Sequence, residues 1–155
     1  MKILVRVLCF AFIAGFCSCD KSRIYEENRE LDKFNWASNN RLLFEFDVKD
    51  PQQTCNMIIN IRNSSAYPYS NLFLFLDTRY PDGKVSRDTL ECILADEQGN
   101  WLGKGSGDVI DSQIPFKKNF RFKQKGHYKF FMEQGMRVNP LTGIMAAGIR
   151  LEKTE

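Results

Sequence analysis

The sequence predicts an all-β fold, an antiparallel β-sandwich of immunoglobulin-like or jelly-roll type. Three observations lead to this prediction: aromatic residues make up 13% of the chain, apolar residues alternate with polar ones, and turn residues separate the short apolar runs. Aromatic and β-branched side chains suit pleated, half-buried strands. Short strands separated by regular turn signals favour a sandwich over βαβ units.

Size and charge limit the function classes. The 155 residues allow one ordinary domain, and 43% hydrophobic with 26% charged residues is typical of a globular protein. The net charge of +3 is too small to suggest a nucleic-acid-binding protein, which usually carries a clustered basic face. We therefore expect one folded domain and no nucleic-acid partner.

Residues 1–18 have the layout of a signal peptide. Lys2 and Arg6 form a positive n-region, and residues 7–16 form a ten-residue apolar h-region. This apolar run is too short to cross a bilayer, which requires about 20 apolar residues. Its removal would leave 137 residues with a formal charge of +1, so attraction to anionic partners would have little overall charge to act through.

Two cysteines compete for the cleavage site. Cys19 follows the small residue Ser18, whereas Cys17 follows Phe16, and signal peptidases require a small residue before the cut. The pattern is therefore interpreted as a bacterial lipobox, in which Cys19 is lipidated and becomes the first residue of the mature protein. The alternatives are an ordinary cleaved secretory signal and a short core helix.

The mature chain divides into a tether and a domain. Residues 19–33 contain the lipidated N-terminus and a charge-rich stretch, which predicts a tether or frayed helix that reaches at most ~45 Å. Residues 34–155 form the single β-sandwich domain. Alternation predicts strands over residues 42–48, 57–61, 90–94, 120–122, 128–132 and 149–151. The unbroken apolar run 72–76 predicts a central strand covered on both faces.

Turn residues separate these strands. Asp50-Pro51 ends the first strand, and Pro81-Asp82-Gly83-Lys84 predicts a tight turn within a hairpin. A helical turn is expected near residues 134–138. The glycine-rich residues 99–107 have the wrong spacing for a phosphate-binding loop, so they predict a turn or bulge with Trp101 and Leu102 packed beneath it.

Several ordered motifs together point to one family. They are Asn-Ile-Arg-Asn at 60–63, Tyr-Pro-Tyr-Ser-Asn-Leu-Phe-Leu at 67–74, Tyr-Pro-Asp-Gly-Lys at 80–84, Gly-Asn-Trp-Leu-Gly-Lys-Gly-Ser-Gly-Asp at 99–108 and Pro-Leu-Thr-Gly-Ile at 140–144. With these motifs the chain resembles the GldH gliding-motility lipoproteins of the Bacteroidetes from Cys19 to about residue 153. Cys19 stands where the family's lipidated cysteine would be.

The resemblance implies a cellular setting without a catalytic mechanism. It implies a non-enzymatic, lipid-anchored envelope protein of the outer membrane, with partners in the gliding apparatus and the linked type IX secretion system. It supplies no catalytic residue and no cofactor. The alternative is a surface or periplasmic carbohydrate-binding lipoprotein. Exposed rings near predicted loops would serve either sugar binding or protein docking: Trp36, Tyr67, Tyr69, Tyr80 and Trp101.

The other chemistry-bearing residues are few. Cys55 and Cys92 form either a disulfide, which export permits, or two free thiols, of which Cys92 would be buried. His127 is the one histidine of the chain, and its strand phase predicts a solvent-facing side chain outside any catalytic triad. The acidic residues between 96 and 111 lack the pattern of a calcium loop, and no metal site is expected.

Overall fold

The computed structural model describes residues 21–154, so the predicted signal peptide (1–18) and Cys19 lie outside the described residues. The regular secondary structure of the described chain consists of β-strands and a single turn of 3-10 helix. In chain order these are β1 (Arg23–Glu30), β2 (Asn35–Trp36), β3 (Leu42–Val48), β4 (Cys55–Ser64), β5 (Asn71–Arg79), β6 (Val85–Ile93), β7 (Lys104–Ser106), β8 (Val109–Phe120), β9 (Gly126–Gln134), β10 (Leu141–Thr142) and β11 (Ile144–Lys153).

Two antiparallel sheets pack face to face, which confirms the predicted all-β sandwich. One sheet has five strands in the order β1-β11-β4-β8-β7, and the other has four in the order β3-β9-β5-β6. The strands β2 and β10 form a small additional pair. Alternate residues of each sheet point into one shared core, because successive side chains of a strand lie on opposite faces. Fully buried examples are Phe44, Ile59, Leu74, Phe130 and Ile149.

The predicted tether is wrong for most of its length. Arg23–Glu30 is a strand, β1, paired with β11 from Arg23 opposite Glu152 to Glu30 opposite Ala146. The two strands approach each other closely, because a side chain at Gly148 of β11 would collide with Asn28 of β1. A single turn of 3-10 helix, Asp32–Phe34, follows. The sandwich therefore begins at Arg23 rather than at residue 34.

Strand β5 is an inner strand of its sheet, as predicted, but it is covered on one face only, so the prediction that both faces are buried is wrong. Leu72, Leu74 and Leu76 are fully buried. Phe73 and Phe75 point to the opposite side of the four-stranded sheet, where Phe73 remains 37% exposed. No element of the described chain lies over that side, so the apolar run combines a core face of Leu with an outer face of Phe.

Of three local predictions, one turn is confirmed, while one strand and one helical turn are not. The turn after β5 is present, with the Gly83 N–H donating to the Tyr80 carbonyl oxygen at 2.9 Å. The predicted strand at 120–122 is wrong, since β8 ends at Phe120 and begins as early as Val109; Pro115 and two lysines interrupt its alternation. The predicted helical turn at 134–138 is wrong, since Gln134 ends β9 and no helix follows it.

No helix among residues 21–154 has the length and apolar character needed to cross a membrane.

Candidate functional site

The outer side of the four-stranded sheet carries three phenylalanines. Phe73 and Phe75 alternate with the buried leucines of β5. Phe131 of β9 lies opposite Asp77 of β5 and is half-buried. The three rings lie on β5 and β9, the two inner strands of the sheet. Contiguous apolar surface that faces solvent often marks a contact site of a protein.

Arginine side chains lie over these rings. The Arg41 guanidinium is 4.4 Å from the Phe131 ring centroid, and that of Arg79 is 5.9 Å from the same ring. The Arg87 guanidinium is 4.9 Å from the centroid of Phe75. Such cation–π contacts contribute about 0.5–1 kcal/mol each at exposed sites, and they hold the long arginine side chains flat against the sheet.

Two carboxylates fix the arginines in place. Asp77 is buried and pairs with Arg41 and with Arg87, while Glu133 of β9 also pairs with both. The two acids and two bases therefore form a closed network in which each arginine has two partners. We call the whole surface the aromatic–arginine face; it consists of Arg41, Phe73, Phe75, Asp77, Arg79, Arg87, Phe131 and Glu133.

This composition suits a protein contact. Aromatic residues and arginine are enriched at protein interfaces and among their strongest-binding residues. The ion pairs preorganise the arginines, so little side-chain entropy would be lost when a partner binds. Sequence reasoning missed this face, although the strict alternation of Leu and Phe across residues 72–76 is a signal for it.

A second candidate surface is a groove on the outer side of the five-stranded sheet. Its volume is about 440 Å³. Asn60 donates hydrogen bonds to Glu26 at 3.0 Å and to Asn28 at 3.1 Å. Arg62 makes a bidentate contact with Asp111 at 2.7 and 3.1 Å. The groove is therefore polar, with planar amide and guanidinium groups on its floor.

Neighbouring donors in and beside the groove favour the ionised form of Glu26. Burial raises the pKa of Glu26, but Arg23, Asn60 and Arg150 outweigh that effect and hold it below its usual range. Two buried oxygens among its lining residues, Asn60 Oδ1 and Ser112 Oγ, have no hydrogen-bond partner within residues 21–154. Buried polar atoms normally have partners, so water or a polar ligand would satisfy them.

The predicted ring surface is wrong for Trp36 and Tyr67, which are 0% and 3% exposed. The Trp36 indole N–H donates to the Asn40 carbonyl at 2.8 Å, and Tyr67 packs edge-on against Tyr69. The remaining rings are half-buried and pack against the core rather than forming one exposed platform: Tyr69, Tyr80 and Trp101. Leu102, predicted to pack beneath its loop, is instead 60% exposed.

Cys55 and Cys92 are both free thiols in the interior. Cys55 begins β4 of the five-stranded sheet, and Cys92 lies near the end of β6 in the other sheet. Burial raises the pKa of Cys55 and raises that of Cys92 to about 12. The structure therefore shows the free-thiol alternative, and neither sulfur has the thiolate character that reactivity requires.

His127 is exposed, as its strand phase predicts. Its ring nitrogens lie 3.0 Å from Asp47 and 3.3 Å from Glu45. These carboxylates raise the pKa of His127. The arrangement is a surface ion-pair cluster: within residues 21–154 the His127 ring nitrogens contact these two carboxylates and no serine or cysteine.

The predicted loop carboxylates are scattered. Asp96 accepts the backbone N–H of Asn100 at 2.7 Å within its own turn, Asp108 contacts Ser65, and Asp111 binds Arg62. Within residues 21–154 no three His, Cys, Asp or Glu side chains converge as metal ligands.

A known family accounts for this chain over nearly its whole described length. The family model of the GldH lipoproteins matches residues 23–151, from the first residue of β1 to Leu151 near the end of β11. The chain belongs to the GldH lipoprotein family. The match includes the aromatic–arginine face and the polar groove, so both surfaces belong to the family's domain rather than to an addition.

Two relatives match over full length. The chain is 39% identical over 163 aligned residues to the gliding motility lipoprotein GldH homolog of Christiangramia forsetii, covering 100% of this chain and 99% of that protein. It is 32% identical over 156 aligned residues to the gliding motility lipoprotein GldH of Flavobacterium johnsoniae, covering 96% of each.

Two solved structures are distantly similar to this GldH family member. One is that of the infectious bursal disease virus Gx strain, at 13% identity and a TM-score of 0.34, covering 88% of this chain and 33% of the viral one. Another is a family 16 carbohydrate-binding module, at 9% identity and a TM-score of 0.28, covering 77% and 72%. At these TM-scores neither structure bears on the function of the chain.

Proposed function

We propose that this GldH family member is a lipid-anchored protein of the cell envelope, held in the outer membrane by acylated Cys19. It acts without catalysis, as an accessory or assembly component of the gliding-motility and type IX secretion machinery. The observation that carries this proposal is the full-length similarity to two proteins named as gliding motility lipoproteins. The lipobox-like sequence before Cys19 supports the anchor.

The aromatic–arginine face is the surface we assign to the protein contact. Its partner is an envelope protein of the motility machinery. Three phenylalanines supply the apolar area, and Arg41 and Arg87 are already ordered by Asp77 and Glu133. A preorganised surface of this kind binds mainly through its aromatic and arginine side chains, so single substitutions there should have large effects.

Complementation tests the function. The chain is expressed in Flavobacterium johnsoniae lacking its own GldH, and colony spreading is measured. We expect the wild-type chain to restore spreading and Cys19→Ala to fail. In parallel, Cys19→Ala should abolish acyl labelling and release the protein from the outer-membrane fraction. Normal labelling of Cys19→Ala would show that another residue carries the lipid.

The contact surface needs its own variants. Phe73→Ser with Phe131→Ser should prevent spreading while the protein remains membrane-bound and folded. The matched control is Ile24→Ser with Val138→Ser, which removes two exposed apolar side chains that lie outside the aromatic–arginine face. Crosslinking from a photoreactive group at Thr89 should capture a component required for gliding. Normal spreading of the phenylalanine variant would exclude this face as the contact.

The polar groove favours carbohydrate binding as a second candidate. The predicted aromatic surface is buried, but the groove offers amides, a bidentate ion pair and two unpartnered oxygens as candidate sugar-binding groups. Amide and guanidinium groups donate hydrogen bonds, and amide and carboxylate oxygens accept them, so the groove offers both kinds of partner to sugar hydroxyls. A glycan array with the purified domain tests this candidate: binding that Asn60→Leu abolishes would support it, and the absence of binding to any glycan would reject it.

A further inference from the structure

The chain enters the fold very close to the proposed anchor. Only three residues separate Cys19 from Arg23, the first residue of β1. The Lys153 N–H donates to the Ser22 carbonyl oxygen at 2.7 Å, so the backbone is fixed in the sheet from Ser22 onward. Four extended residues span at most ~14 Å. This inference rests on the proposed anchor: with Cys19 acylated, this end of the sandwich lies beside the bilayer.

Both sheets contribute to that end. In the five-stranded sheet, Cys55 lies opposite both Lys153 and Phe120. In the four-stranded sheet, Val48 lies opposite Gly126. The connections from β3 to β4, from β5 to β6 and from β8 to β9 are therefore grouped with the start of β1. This places three loops and a chain entry on one surface.

That surface is rich in unpaired basic side chains. Residues 117–127 contain five Lys or Arg and no acidic residue. Most nearby acids have other cationic partners, since Asp82 pairs with Lys84, Glu152 with Arg150 and Asp47 with His127, whereas exposed Asp50 has no ion pair within residues 21–154. Six exposed lysines have no ion pair within residues 21–154, and we call them the basic end: Lys21, Lys49, Lys118, Lys123, Lys125 and Lys153.

The charge distribution is polarised along the sandwich. The chain from Cys19 onward has a net charge of only +1, so the remainder of the domain is net negative. At the opposite end, acids such as Glu30, Asp96 and Glu97 are interspersed with cations, so that end has no comparable excess of positive charge. In the field of an anionic bilayer, such a molecule is attracted mainly through its basic end.

We propose that the basic end is a docking surface for anionic phospholipid headgroups, which holds the sandwich upright beside its own anchor. A lysine close to an anionic leaflet strengthens binding about fivefold, and a basic patch is an effective second signal beside a lipid chain. Docking at this end leaves the aromatic–arginine face directed sideways, parallel to the membrane, where an envelope partner reaches it.

Vesicle binding tests the proposal without the acyl chain. The mature chain with Cys19→Ser retains residues 21–154 and thus both sheets and the core. Its binding to vesicles of phosphatidylcholine alone is compared with binding to vesicles that also contain phosphatidylglycerol. We expect binding only to the mixed vesicles, weakening steeply as sodium chloride screens the charges. Equal binding to both vesicles, or binding insensitive to salt, overturns the proposal.

Charge reversal locates the surface. Lys118→Glu with Lys123→Glu and Lys125→Glu should weaken binding at least ~tenfold. The matched control is Lys33→Glu with Lys104→Glu and Arg137→Glu, which makes the same change in net charge at exposed positions away from the basic end. Equal weakening by the control would show that only net charge matters and would overturn the proposal.

Circular dichroism confirms that each variant is folded. If the triple variant unfolds, Lys123→Gln with Lys125→Gln, both in the loop after β8, replaces it, and severalfold weaker binding is expected; unchanged binding overturns the proposal. These outcomes are independent of the proposed function, since acyl labelling at Cys19 and colony spreading are measured separately.

Discussion

Asp77 of β5 lies directly opposite Arg87 of β6, with its Oδ2 3.4 Å from Arg87 Nη1. The same oxygen also pairs with Arg41, which precedes β3 on the far edge of the sheet. One buried carboxylate therefore connects the two outer strands of a four-stranded sheet across its inner strands. The same ion pairs therefore order the arginines of the aromatic–arginine face and stabilise the sheet beneath it.

Replacing Asp77 with alanine should destabilise the domain by about 1–2 kcal/mol, because two charge-assisted hydrogen bonds are lost while the arginines keep Glu133 as a partner. Urea unfolding monitored by circular dichroism measures the change. The control is Glu97→Ala, an exposed residue for which a change within about 0.5 kcal/mol is expected. Equal effects of the two substitutions would contradict the connecting role of Asp77.

Adjacent residues of β5 should respond differently to truncation. Leu74 is fully buried, so Leu74→Ala should lose about 2–5 kcal/mol through lost burial and the cavity left behind. Phe73 is 37% exposed, and Phe73→Ala should cost about 1 kcal/mol or less. The free energy of unfolding of each variant tests this. Similar large losses for both would mean that β5 is covered on both faces.

The hairpin that contains Asp77 was accessible from the sequence. The Pro81-Asp82-Gly83-Lys84 turn is predicted, and Gly83 adopts the required positive φ of 83°. A tight turn fixes the strand register, so the pairing of Asp77 with Arg87 follows from local residues. The position of Phe131 and Arg41 on the same face does not, because it depends on where β9 and β3 join the sheet, and no local signal determines that.

Strand β1 shows a different limit of sequence reasoning. Its residues are Arg-Ile-Tyr-Glu-Glu-Asn-Arg-Glu, and most of them are polar on both faces. An edge strand needs only one hydrogen-bonded neighbour and buries little surface, so apolar alternation is absent. Backbone pairing with β11 defines this strand, and such pairing is invisible in the composition of a single segment.

The thiols of Cys55 and Cys92 should be unreactive in the folded protein. Burial leaves almost no thiolate at neutral pH, since the pKa of Cys92 is raised to about 12. With Cys19 acylated, Ellman's reagent should label neither thiol in native buffer and both in denaturant without a reductant. Labelling in denaturant only after reduction would demonstrate a disulfide and contradict the structure.

The pKa of His127 should lie above its ordinary value of about 6.5, because Asp47 and then Glu45 stabilise the protonated ring. A raised pKa in the folded state means that this cluster stabilises the protein fully below about pH 6.5 and that the contribution is lost as the pH rises through the raised value. Titration of the His127 ring protons by NMR measures this pKa. Asp47→Asn should lower it, whereas Glu91→Gln, on the edge strand β6, should leave it unchanged. An unchanged value in Asp47→Asn would show that the contact at 3.0 Å does not persist in solution.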